Sequence, residues 1–134
     1  MPKIENQINP SFEASINVKV KLDKQRTPVS MCWEADESDS KDLQPCKAVM
    51  ISIWDPTKKN TVRFDLWTKE MMHHEMSTLI FQSLLMMGET YANATGNQEL
   101  ANEIQEFAED FGVKAKVIKP KEDEDGVKPF HLDI

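Results

Sequence analysis

The sequence predicts an α+β domain: a four-stranded antiparallel meander sheet followed by two helices packed on one face. Three observations predict it. Two-residue alternation of apolar and polar side chains marks three strands, and an apolar run marks a fourth, all before residue 68. At about Met72 the apolar spacing changes to threes and fours, the period of an amphipathic helix. The order, four strands and then two helices without an internal repeat, is that of an α+β chain rather than of alternating βαβ units.

Residues 1–12 hold two prolines and no clear period, and read as a mobile N-terminal arm. Ala14, Ile16, Val18, Val20 and Leu22 then alternate with Ser15, Asn17, Lys19 and Lys21, so the first strand has one dry and one wet face. A linker from Asp23 to Pro28 leads to Val29, Met31 and Trp33 alternating with Ser30, Cys32 and Glu34, which completes a hairpin. The acidic, serine-bearing stretch 35–42 has no large apolar anchor and reads as a solvated loop. Beyond Pro45, the run Cys46 to Trp54 is apolar at both parities and reads as a strand in the middle of the sheet. Turn formers fill 55–60, and Val62, Phe64 and Leu66 alternate with Thr61, Arg63, Asp65 and Trp67 in the fourth strand.

The first helix has a dry stripe of Met76, Leu79, Ile80, Ser83, Leu84, Met87, Tyr91 and Ala94, and Gly96 is placed to end it. Asn97 can cap the second, whose stripe is Leu100, Ile104, Phe107 and Phe111, with Gly112 as its stop. Residues 13–112 thus make a single domain, and 113–134 read as a charged C-terminal tail. Val113, Ala115 and Val117 could add only a thin edge strand.

Composition narrows the function. The chain has 134 residues, enough for one core, with 40% hydrophobic and 29% charged residues and a net charge of −7. That balance argues against nucleic acid, whose phosphates call for a basic surface. No apolar run reaches the roughly 20 residues a membrane helix needs, and the start lacks a secretory pattern, so no membrane insertion and a cytoplasmic location are expected. Cys32 and Cys46 lack CxxC spacing and read as buried thiols.

No enzyme template fits. There is no GxSxG setting for a nucleophile, and the glycines at 88, 96, 112 and 126 make no phosphate cradle. His73, His74 and Glu75, near Met71, Met72 and Met76, invite copper or zinc, but adjacent helical positions diverge by about 100° and no HExxH spacing follows. Methionines at helical spacing are core filling. The expectation is therefore no cofactor, no metal and no catalytic residue.

What survives is surface. If helices cover one side of the sheet, Arg63, Asp65 and Trp67 line the other, together with some of Val49, Ile51 and Ile53. Such a patch suits a protein partner or a homodimer. Glu99, Glu103, Glu106 and Asp110 on the second helix form a secondary acidic face, within a segment, 97–112, that carries five carboxylates and no Lys or Arg.

The string AVMISIWDPTKKNTVRFDLWTKEM, from Ala48, followed by EMSTLIFQSLLMMGETYANATGNQELA, to Ala101, resembles the gliding-motility protein GldC family of bacteria. The likeness rests on the order of Ser52-Ile53-Trp54-Asp55, Asn60-Thr61, Asp65-Leu66-Trp67-Thr68-Lys69, Glu75-Met76 and Ala94-Thr95-Gly96, and spans about residues 13–112. Met72 stands where the family pattern has a helix-starting proline, and the tail after Gly112 is longer. The resemblance implies a small cytoplasmic accessory protein, with no catalytic residues to carry over, whose partners belong to a motility apparatus. The alternative is a small ligand- or metal-binding protein with a pocket between sheet and helices near Met71, His73 and Met76.

Overall fold

The alternation at the start of the chain forms β1 (Ile16–Leu22), which pairs antiparallel with β2 (Pro28–Ala35). The computed structural model describes residues 12–36 and 42–120. The arm, most of the 35–42 loop and the tail beyond Pro120 lie outside the described residues. Val18 faces Trp33 and Val20 faces Met31, so the dry parities of the two strands share one side, and Met31 is buried there.

The tight turn between them is organised by Asp23. Its Oδ1 accepts the backbone N–H groups of Gln25 and Thr27, both at 2.9 Å, and its Oδ2 lies 3.4 Å from the Lys69 ammonium. Those N–H donors, Thr27 first, and then Lys69 hold the carboxyl below its ordinary pKa of 3.8 against the opposing effect of desolvation. Arg26 closes the turn in the left-handed region, at φ 64°.

The expected four-stranded meander is corrected to two sheets. A short β3 (Gln44–Cys46) pairs with β2, whereas β4 (Ala48–Asp55) pairs with β5 (Asn60–Trp67). The apolar run after Pro45 is therefore shared between sheets and is not a central strand. Pro45 has no N–H to offer a further neighbour, which suits the short outer strand β3. At Lys47 the chain changes partner: the Lys47 carbonyl already accepts the Thr68 N–H at 2.8 Å, one step beyond the Ala48–Trp67 pair.

The β4–β5 turn repeats the device of the first. Asp55 Oδ1 accepts the N–H groups of Thr57 and Lys58, and Lys59 takes the left-handed conformation at φ 55°.

The chain divides into two compact units, Met1–Met71 and Met72–Ile134. The second unit is a helical hairpin of α1 (His73–Thr95) and α2 (Gln98–Lys114). The Glu75 carboxylate accepts the Met72 N–H at 3.0 Å and so starts α1 without the expected proline. Gly96, at φ 75°, ends it by donating its N–H to Ala92, and Asn97 Oδ1 caps α2 by accepting the Leu100 N–H at 3.0 Å.

Two sequence expectations change here. Gly112 does not stop α2. It is buried inside the helix, where a Cβ would come within 2.6 Å of the Phe81 ring, so its role is close approach. Residues 113–118 are neither tail nor edge strand. They complete α2 and turn back through Lys116, at φ 62°, while the Val117 and Ile118 N–H groups reach the Gly112 carbonyl. Ile118 then enters the core beside Phe81, Leu85 and Ala108. Helix contact runs along the small residues Gly88, Ala101, Ala108 and Gly112, whereas Met87, Leu100 and Phe107 of the expected dry stripes are exposed.

Candidate interaction surfaces

Residues directly opposite in an antiparallel ladder share a face. The β4–β5 register pairs Trp54 with Thr61, Ser52 with Arg63, Met50 with Asp65, and Ala48 with Trp67. Arg63, Asp65 and Trp67 therefore lie together on one face, as their spacing predicts. Val49, Ile51 and Ile53 do not join them. They lie on the reverse face with Leu66, Phe64 and Val62, because they belong to the other parity of β4.

Trp67 is 54% exposed and Trp54, which sequence reasoning missed, is 62% exposed. The two indoles sit at opposite ends of the ladder, six residues or roughly 20 Å apart. Between them the Arg63 guanidinium grips Asp65 as a fork, Nη2 to Oδ1 at 2.9 Å and Nε to Oδ2 at 3.3 Å. The Asp65 hydrogen bond and charge raise the Arg63 pKa above its ordinary value. With both side chains 43% exposed, solvent screens the pair and its contribution to stability is small. Its main effect is to hold a flat guanidinium in place on the face that carries both indoles.

Small neighbours keep this face open, since Ala48 stands opposite Trp67 and Ser52 opposite Arg63. Asp65 and Trp67 also border a recess of about 270 Å³ with Arg26, Thr27 and Pro28. The signal that could have found Trp54 is the turn: pairing Asp55 with Asn60 across a four-residue loop puts Trp54 opposite Thr61.

Glu99, Glu103, Glu106 and Asp110 are all exposed on α2. Their spacing of four, three and four sets them in one ridge along the helix. Asp110 holds Lys114 at 2.9 Å. This ridge belongs to the helical unit and the Arg63 face to the β unit.

His73 and His74 are the first residues of α1 and both are exposed. Among the described residues, no three His, Cys, Asp or Glu side chains gather where a metal could be held. Cys32 and Cys46 are free, and they are half-buried rather than buried. Their ladder partners, Pro45 and Met31, put them on opposite faces of the sheet. Burial, with the neighbouring Cys32, pushes the Cys46 thiol above its ordinary pKa of 9.0. No helix among the described residues is long and apolar enough to cross a membrane.

No curated protein and no solved structure matches the chain significantly. A family model does. The model described as gliding motility-associated protein GldC-like matches residues 28–117, a span that takes in β2 to β5, both helices and the turn that returns to the core. With about two thirds of its length so matched, and the Asp65-Leu66-Trp67 strand end and the Gly96-Asn97 helix break inside the match, the chain belongs to the GldC-like family of gliding motility-associated proteins.

Proposed function

We propose that this chain is a non-enzymatic, cytoplasmic accessory component of the gliding apparatus that works by binding protein partners through the β4–β5 face carrying Arg63, Asp65 and Trp67. The observation that carries this reading is the pair of half-exposed tryptophans flanking a fork-held arginine. Trp and Arg are the residue types that dominate binding energy at protein interfaces, and a pre-formed ion pair lowers the ordering cost of using the arginine. A two-stranded ladder with large apolar side chains exposed on both faces is also marginal in water, so covering it is favourable.

The test is replacement of the native gene in a gliding bacterium by one carrying Arg63→Glu and Trp67→Ser. Colony spreading is expected to fail while the protein accumulates in the soluble cytoplasmic fraction with an unchanged far-UV spectrum. Full spreading overturns the assignment of this face. Sedimentation of the wild-type and Trp67→Ser proteins separates a foreign partner from a second copy: an association lost in the variant identifies a homodimer.

A further inference from the structure

The helical hairpin has a second apolar surface, which meets its core only at Leu84. Leu84, Met87 and Tyr91 of α1 and Leu100, Ile104 and Phe107 of α2 line an open groove of about 500 Å³. Met87 and Phe107 are 58% and 60% exposed. Residues 84–91 rise about 10 Å along α1, so the groove accommodates two turns of a third helix, with anchors at i, i+3 or i+4, and i+7.

The charge beside it is one-sided. At about 100° per residue, Ala101, Ala108 and Gly112 project about 100° to one side of the Leu100–Ile104–Phe107 stripe, into the hairpin. Glu99, Glu103, Glu106 and Asp110 project roughly 90° to the other side, along the outer rim of the groove. Glu103 itself lines it. Lys114 is the sole Lys or Arg in either helix, and it is paired with Asp110.

We propose that this groove binds a basic amphipathic helix of a partner protein, its apolar stripe between Met87 and Phe107 and its Lys/Arg flank along Glu99, Glu103 and Glu106. This rests on reading the chain as an interaction protein, but not on the Arg63 face. Charge complementarity selects the occupant. A second copy would bring another surface with no free cation against the same ridge, whereas a basic helix meets carboxylates along one side over two turns. The ionic part is exposed, so binding weakens as salt rises.

The experiment is selection of a displayed library of random peptides of about 18 residues, long enough to form a helix on binding, against the full chain. Enriched peptides are expected to show apolar residues at three- and four-residue spacing and a net positive flank. Met87→Asp with Phe107→Asp, both at exposed positions, is expected to weaken them at least about tenfold. A Glu99→Lys, Glu103→Lys, Glu106→Lys variant, which leaves Asp110 to hold Lys114, is expected to lose the basic peptides and select acidic ones. Enrichment without helical spacing or positive charge, equal binding to the Asp variants, or no selection at all overturns the proposal. So does self-association abolished by Met87→Asp, which assigns the groove to a second copy. Selection only by a chain ending at Pro120 also overturns it, because residues 121–134 are then the occupant. None of these readings uses Arg63 or Trp67, so failure here and failure of the β4–β5 assignment are separately visible.

Discussion

Replacing Gly112 by alanine separates two physical accounts of the same glycine by sign. For a glycine in a helix interior, alanine is favoured by about 1 kcal/mol through backbone entropy alone. Inside α2, however, the new Cβ would meet Phe81 Cε1 at 2.6 Å and Cδ1 at 2.7 Å, with Ile118 Cγ1 at 3.0 Å. Ordinary contact begins near 3.4 Å. The helices must therefore separate by most of an ångström, or the ring must move. Phe81 is fully buried, and the Ile118 side of the site is closed by the returning chain. With so deep an overlap against a buried ring, overpacking costs about 2–3 kcal/mol, the upper part of its usual range, from which the gain in propensity is subtracted. The expected result is a net loss of about 1–2 kcal/mol, read as a lower urea midpoint by far-UV circular dichroism. The internal control is Gly88→Ala, where the nearest atom is the flexible Gln105 Cγ at 3.1 Å, and where a much smaller effect is expected. A Gly112→Ala protein more stable than wild type would refute close helix approach at this position.

Three further outcomes follow from the geometry. Asn97→Ala removes the acceptor for the Leu100 N–H and should lower helical stability by about 1 kcal/mol in the same assay; an unchanged midpoint would mean that the cap is redundant. The Asp23 carboxyl, lowered by the Thr27 and Gln25 N–H groups and Lys69, contributes stability that is complete above the ordinary carboxylate pKa and is lost as pH falls through its depressed folded value. The fall in urea midpoint below about pH 4, followed by tryptophan emission, should therefore be shallower in Asp23→Asn; identical slopes would sink the assignment. Finally, Trp54 and Trp67 should be readily quenched by acrylamide, and a Trp54→Phe, Trp67→Phe protein should be quenched less because only half-buried Trp33 remains. Emission shielded in the wild type at every concentration would show the face to be covered.

Much of the fold was legible because local periods carry it. Alternation located β1, β2 and β5 to within a few residues, and Gly96 and Asn97 end one helix and cap the next as their residue types suggest. The sheet was not legible. An apolar run at both parities says that both faces of 46–54 are greasy, but not which strands pair with it. The change of partner at Lys47 is set by where β2 and β5 run, which no local pattern records. Gly112 misled because a glycine that ends a helix and one that lets a neighbour approach have the same neighbours in sequence. The clue was its place four residues after Ala108 and eleven after Ala101, on the stripe of small residues. For the surfaces, period two sufficed to put Arg63, Asp65 and Trp67 together, whereas Trp54 needed the register. The apolar stripes of both helices were read correctly as apolar, and Leu84 and Phe111 do pack on the core, but Met87, Leu100 and Phe107 were assigned there too, because hydrophobicity does not tell a contact inside the chain from one outside it.

The three left-handed residues of the described chain other than glycine, Arg26, Lys59 and Lys116, are all basic and all exposed. Each stands at a corner where glycine would relieve about 1–2 kcal/mol of left-handed strain, against about 0.5–1 kcal/mol of added chain entropy. The natural protein thus keeps an unused reserve of heat tolerance, open to engineering one corner at a time. In return it retains three positive charges in a chain whose overall balance is strongly negative.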